Sequence, residues 1–453
     1  MNNDTLDLTT GKPLIRILQF STPLIFGTLF QQLYSFVDSI IVGHFISANA
    51  LGAVGATYSL NFLIIGFVQS FCVGLGIPIA QSFGAHQKRD LQNYFWNGFY
   101  LSILISIFFS VLMTIFTQPM LTMMKTPQPL LHDAVVFIKP QFLFIWVTVL
   151  YNFSASVLRS LGDSKTPFYT LVLASLLNIV IDILLIGEFH WGVIGAAVAT
   201  IVAQTISGLM NVIWLVKTSS IINFTHPQLK FSVKHTCRLA YIAFPMGIEY
   251  SISAIGAIIM QFAINSLGTI YVVSQTAGEK IRQMFTLPIE SVGMGMSTFI
   301  GQNFGAHSMK RIRQGLKDGM KIQIVYYGCC LVIIMLFANQ LSRLVIGNHP
   351  ELIYLSSLYL RLMSCTFFLH GTLMIYRYTL QGLGFSLQAI WAGVNELIGR
   401  SVVSIIAISL NSFIAVCFIN PVAWGLAGGY CCWMVYHQLK KISFPFTRQT
   451  DLG

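Results

Sequence analysis

Two carboxylates stand out because of where they lie. Asp38 sits in "QLYSFVDSIIVG" and Asp182 in "LASLLNIVIDILLI", deep in apolar runs of the first half that hold no Lys or Arg. An ionisable group at membrane depth costs about 2.5–3.5 kcal/mol on insertion scales and usually marks an ion or proton path. A carboxyl without a basic partner in low dielectric can carry a proton or ligate a cation, and two that meet titrate as one unit. Both acids lie six residues from the far end of their segments, about 9 Å in at ~1.5 Å per residue. Equal depth is what a shared site requires. Asn178 precedes Asp182 by four residues and so shares its helix face. Thr200, at comparable depth in the next segment, and Asn152 can add oxygen ligands. Tyr34, one turn before Asp38, is placed to hydrogen-bond it or to pack as an aromatic core residue.

The second half carries its charges differently. Glu249 lies mid-segment with no basic residue nearby in sequence, and it is the strongest candidate there for a substrate or ion contact. Glu279 and Arg282 are spaced i,i+3, and Glu396 and Arg400 i,i+4, so each pair can neutralise itself in a structural network or face a substrate. Lys280 and Glu290 lie in the same stretch as Glu279. His370 is a lone histidine, read as a satisfied core group.

These groups need helices to position them. Of 453 residues, 55% are hydrophobic and 9% charged, against about 25% charged in soluble domains. Mean hydropathy is +0.72. Twelve apolar segments of spanning length are expected, at 13–44, 48–80, 91–117, 132–160, 166–188, 191–217, 235–267, 270–301, 313–339, 350–382, 386–411 and 413–440. No connector is long enough to hold a soluble domain, and "MNNDTLDLTTGKPLIRILQF" reads as a short cytosolic tail rather than a cleaved signal. The polar stretch at 217–238 reads as the linker between halves 1–222 and 223–453. The eight cysteines lie mostly in apolar runs and form no CxxC or disulfide pattern.

Basic residues set the orientation. Lys12, Arg16, Lys88, Arg89, Arg159, Lys165, Lys217, Lys230, Lys234, Arg238, Lys310, Arg311, Arg313, Lys317, Lys321, Arg377, Lys440, Lys441 and Arg448 are assigned to the tail, every second loop and the C-terminus; the alternate loops hold little beyond Lys125, Lys139 and Arg343. By the positive-inside rule both termini are cytoplasmic in an inner-membrane, multi-pass chain. The net charge of +11 is thereby absorbed by topology, and no extramembrane basic domain exists for nucleic acid.

The chain also repeats itself. "QSFGAHQKRDL" (81–91) returns as "QNFGAHSMKRI" (302–312), Gly74 falls on Gly295, and Pro23 falls on Pro245. "RSLGDSKTP" (159–167) falls on "QGLGFSLQA" (381–389). The repeated phrase reads as the end of the second helix of each half, with its glycine stopping the helix. The acids are not repeated: Asp38 maps near Met260, Asp182 near Ser404, and Arg400 onto Asn178. Two halves with an even number of helices enter from the same side, a parallel repeat suited to alternating access. Pro23 and Pro245 each remove a helix hydrogen bond and soften helices 1 and 7, so protonation of Asp38 can alter helix 1 packing.

The segments "SFVDSIIVG", Gln-x-x-Gly-Ala at both repeats, and "RSLGDSKTPFYTLVLASLLNIVIDILLI" followed by "WGVIGAAVATIVAQ" give the chain a family likeness. Over nearly its whole length it resembles the multidrug and toxic compound extrusion (MATE) transporters of bacterial type. The resemblance implies an all-α integral membrane fold of two six-helix lobes around a cleft. It implies export of cationic or lipophilic drugs coupled to H+ or Na+, with Asp38, Asp182, Asn178, Asn152 and Thr200 forming an N-lobe ion site. The unpaired acids favour H+, and Na+ at Asp38 and Asp182 is the alternative. No cofactor is implied; the partners are the bilayer and small organic substrates, and the chain is expected to act as a monomer. Some branches resemble this chain in carrying a helix 7 glutamate, but their helix 10 acid is absent from "LRLMSCTFFLHGTLMIYRYTLQG". A lipid-linked precursor flippase of the same superfamily is the alternative, kept open by Lys280, Arg282 and Arg400. A membrane-embedded transferase is remote: "GDSKTP" offers only Asp163, and no Walker A, GxSxG or HExxH sequence occurs, so an ATP-driven pump is excluded for this chain.

Overall fold

A computed structural model describes residues 5–124, 126–218, 222 and 231–442. Lys125, Lys230, Arg448 and half of the 217–238 linker lie outside the described residues. Within them, every regular element is helical, in twelve spans. They are α1 (Pro13–Phe45), α2 (Ala48–Gly84), α3 (Lys88–Met123), α4 (Gln128–Leu143 and Ile145–Ser160), α5 (Lys165–Asp182, continued by a π-helical turn Ile183–Glu188) and α6 (Val193–Thr218). The second set is α7 (Val233–Asn265), α8 (Thr269–Gly305), α9 (Met309–Ile346), α10 (Pro350–Ser364 and Phe367–Gly382), α11 (Ser386–Ser409) and α12 (Phe413–Cys417 and Ile419–Lys441). The spans expected from sequence are therefore present, with ends shifted by a few residues.

Three details qualify the apolar-run picture. The two pieces of α4 meet at 51° and those of α10 at 50°. In α4 the bend follows Pro140, which cannot donate within the helix. In α10 no proline lies at the bend; Ser364 and Thr366 bond back to the carbonyls of Arg361 and Met363 and compete with the helix ladder. The third is α8, as long as α2 but with Glu279, Lys280, Arg282 and Glu290 inside it, which keeps it below the apolarity of the other spans.

Burial is inverted relative to a soluble bundle. On α3, Leu104, Ile107, Phe108, Val111 and Ile115 form an exposed apolar stripe, while Asn97, Ser102 and Ser106 are buried. Such a stripe has nowhere favourable to face but lipid. Two core clusters follow the two halves, with an exchange at the seam: Ile17, Phe20 and Leu24 of α1 pack into the second-half core, and Leu239 and Ala243 of α7 into the first-half core.

The repeated phrase has a different purpose from the one expected. Gly84 and Gly305 are the last helical residues of α2 and α8, but the left-handed residues that turn the chain are His86 and His307, each at φ 55°. The glycines instead allow the lobes to touch. A Cβ on Gly84 would stand 1.9 Å from the Gln302 carbonyl oxygen, and one on Gly305 1.8 Å from that of Gln81. Higher up the same helices, Gly74 backs onto Ala243 and Gly295 onto Ser21, positions that correspond under the repeat. Gln81 donates to the Gly382 carbonyl at 3.0 Å and Gln302 to the Ser160 carbonyl at 2.9 Å, another corresponding pair. Each lobe thus offers the other the same latch. It lies on the face from which α1 starts and to which α12 returns, termed the proximal face.

The segment before α1 straps this latch. Leu6 donates to the Gly162 carbonyl of the first lobe, and Leu8 N–H donates to Gln302 of the second. Asn303 and Arg311 donate to the Leu8 carbonyl, and Arg311 also to Thr10 and Gly11. The Leu8 side chain is fully buried.

Candidate functional site

The first lobe brings its two acids together. Asp38 of α1 and Asp182 of α5 place their side chains within hydrogen-bonding range of each other. As carboxylates both are acceptors, so neither satisfies the other: Asp38 Oδ1 and both Asp182 oxygens have no donor among the described residues. A proton or a cation held between them would bridge the pair directly. Asp182 is fully buried and is the last α-helical residue before the π-helical turn, which widens the backbone beside the acid. Asn178, one turn back, is also buried, and neither its amide oxygen nor its nitrogen has a protein partner. Buried amides without partners are rare in native proteins.

Tyr34 faces both acids, but its hydroxyl comes within hydrogen-bonding range of Thr200 rather than bonding to Asp38 as expected. Thr200 in turn donates to the Ala196 carbonyl. Asn152 is more remote in its bonding: it donates to the Thr148 carbonyl at 2.8 Å, within its own helix. Below the acids a polar stripe continues toward the proximal face through Thr148–Gln204 and Thr170–Asn211, each at 2.8 Å. Ser207 and the Asn211 amide nitrogen on that stripe are buried without partners. Sequence spacing named Asn178 and Thr200 but not this continuation.

The second lobe is a charge network. Glu249 was expected to lack a basic partner. It has one: Arg377 of α10 approaches it at 3.2 Å, and Gln381 donates to its other oxygen at 2.9 Å. The Arg377 contact is a charge approach rather than an aligned hydrogen bond, since Glu249 Oε1 receives no N–H along its axis. Arg377 was assigned to a loop, but it lies one turn from the end of α10 and faces inward. It also reaches Glu396 at 3.4 Å, which Arg400 holds from the other side at 3.1 Å. Arg400 further donates to the Ser253 carbonyl and to Asn420. Glu279 and Arg282 pair at 2.5 Å as their spacing required, and Tyr359 donates to Glu279. His370 has partners on both ring nitrogens, the Tyr327 hydroxyl at 2.8 Å and Glu290 at 3.5 Å. Among the described residues, three carboxylates thus meet three guanidiniums, and the fourth, Glu290, meets His370.

Glu290 differs from its neighbours in being 39% accessible. Near it lie aromatic side chains from both lobes: Tyr58 stacks on Phe62 at 6.0 Å, Phe62 meets Tyr250 at 5.0 Å, and Tyr250 faces Glu290. Lys280 lies over the Phe36 ring at 5.7 Å, joining α8 to α1. Pro23 and Pro245 stand inside α1 and α7 as expected. No group of three or more His, Cys, Asp or Glu is set to hold a metal ion among the described residues.

Comparison with known proteins agrees with this architecture. The MatE family model matches the chain twice, over residues 23–184 and 245–406, the same displacement that relates Pro23 to Pro245. The chain is 27% identical over 393 residues to a probable multidrug resistance protein, YpnP, of Bacillus subtilis strain 168, covering 85% of this chain and 87% of that one. It is 21% identical over 384 residues to the multidrug export protein MepA of Staphylococcus saprophyticus, covering 83% and 84%. Among solved structures, it matches one described as the outward-facing conformation of a multidrug resistance MATE family transporter of the MOP superfamily. The TM-score is 0.90 at 21% identity, covering 98% of this chain and 100% of that one.

Proposed function

The chain belongs to the MatE family, and from that membership we propose that it exports organic cations and lipophilic drugs by antiport, driven by H+ entering at Asp38 and Asp182. That it is a multi-pass transporter of the multidrug efflux type, and not an enzyme, follows from the family and its relatives. The coupling ion rests on one observation: the buried Asp182 carboxyl and the partly buried Asp38 carboxyl lie in mutual reach, with no donor among the described residues for three of their oxygens. One shared proton turns the pair into a donor and an acceptor. Removing it leaves adjacent like charges, which favours a conformation that separates or hydrates them. The facing equilibrium then follows protonation, because the two facings bind the proton unequally.

Na+ is the second reading, favoured by the unpartnered Asn178 oxygen beside the two carboxylates. A hard cation prefers such oxygens. The reading takes both termini as cytoplasmic, supported by Lys88, Arg89, Lys310, Arg311, Arg313, Lys440 and Lys441 at the proximal face. The latched proximal face supports reading this as an outward-facing state, and the proposal takes the transporter as a monomer in the cytoplasmic membrane. Glu290 with Tyr58, Phe62 and Tyr250 supplies the acid and ring faces that suit a flat organic cation. The second-lobe network is a scaffold tying α7 to α10 and α11.

The test is ethidium transport in vesicles of defined polarity, with imposed pH and Na+ gradients applied separately to wild type and Asp38→Asn. Uptake driven by the pH gradient alone and lost in Asp38→Asn is expected. Uptake driven by Na+ alone transfers the same residues to the second reading. No ethidium movement under either gradient, with the variant equal to wild type, removes the proposal in favour of a lipid flippase.

A further inference from the structure

Arg159 was counted among the loop charges, but it lies in the last turn of α4 and faces the seam between the lobes. There it lines a small cavity of about 20 Å³, room for one or two water-sized particles. Gly76, Ser156 and Ser160 border it from the first lobe, and Ser297 and Thr298 from the second. The guanidinium has no carboxylate partner and no hydrogen-bond acceptor among the described residues; its electrostatic neighbours are Tyr151, Tyr378 and Cys72. Arg159 is only partly exposed, and a cation in a half-closed seam without a carboxylate of its own attracts an anion. Arg282, Arg377 and Arg400 of the second-lobe network, by contrast, are each paired with a carboxylate.

We propose that this seam is a binding site for a small inorganic monovalent anion of the chloride class, held by the Arg159 guanidinium and the hydroxyls of Ser156 and Thr298. The cavity is too small for a drug-sized molecule but admits one such ion. Ser160 and Ser297 already donate to backbone carbonyls, which leaves Ser156 and Thr298 as the free hydroxyl donors. Both lobes contribute walls, and the cavity lies just inside the Gln81–Gln302 latch. The site therefore exists only while the proximal face is closed, and the anion stabilises that state by mass action. This does not depend on which cation drives transport.

The experiment is a thermal-unfolding titration of the purified protein in nanodiscs, replacing gluconate by chloride at fixed ionic strength. Wild type, Arg159→Gln and Thr298→Val are compared. The wild-type Tm is expected to rise saturably by a few degrees with chloride, and equally with bromide or nitrate. Arg159→Gln is expected to give no rise, and Thr298→Val a rise that needs several-fold more chloride. A wild-type Tm indifferent to chloride overturns the proposal, as does an Arg159→Gln protein that responds as wild type does. So does stabilisation by phosphate without any by chloride. If Arg159→Gln fails to fold, the wild-type titration with Thr298→Val still decides.

Discussion

Adding one methyl group to Gly84 should unlatch the proximal face. The new Cβ would stand 1.9 Å from the Gln302 carbonyl oxygen, against a contact distance of about 3.5 Å, so the lobes must part there by about 1.5 Å. That movement takes the Gln81–Gly382 and Gln302–Ser160 bonds, now 3.0 and 2.9 Å, out of hydrogen-bonding reach. At about 1 kcal/mol net for each bond, closure weakens by about 2 kcal/mol, or roughly 30-fold in the ratio of facing states. Alanine favours helix over glycine by about 1 kcal/mol, so α2 itself is not weakened and the effect belongs to the interface. The assay is the distance between spin labels at Lys88→Cys and Lys310→Cys, both exposed on the proximal face, in a background lacking the native cysteines. Gly84→Ala should shift the distribution to longer distances. An unchanged distribution would refute the latch, whatever transport does.

Further outcomes follow from the same geometry. Leu8→Ala removes a fully buried strap side chain that packs into the second-half core, at a cost of about 2 kcal/mol or more, and should lengthen the same label distance. Arg377→Gln leaves Glu249 without its cation and Glu396 with one fewer, which costs about 3–5 kcal/mol. Its Tm should fall by several degrees, and a Tm within about 2 °C of wild type would show that the network is not a scaffold. Pro23→Ala restores a helix donor in α1 and should reduce coupled efflux while ethidium binding persists; normal coupled efflux would remove α1 bending from the mechanism.

What sequence could and could not reveal follows from what each signal reports. Apolar runs report membrane depth, so the spans and the equal depth of Asp38 and Asp182 were legible, and the i,i+4 rule placed Asn178 beside Asp182. The repeat was legible as identity at a fixed offset, but not its purpose: a glycine at a helix end reads as a stop, and only the packed lobes show that it makes room for Gln302. Arg159 and Arg377 lie within a turn or two of helix ends, where a loop charge and an inward-facing one have the same sequence. Hence Glu249 seemed unpartnered, since its cation comes from another helix 128 positions away. The strap was illegible because Leu6–Gly11 is too short to show any periodicity, and the π-helical turn after Asp182 leaves no mark in composition.

The central claim is that Asp38 and Asp182 hold a proton that substrate export exchanges. It is tested most directly by measuring protons released when ethidium is added to the purified protein in weakly buffered solution, for wild type and the Asp38→Asn/Asp182→Asn double variant. The account predicts release from wild type, none from the double variant, and ethidium binding retained in both. Wild-type binding without release, or release that persists in the double variant, would contradict it.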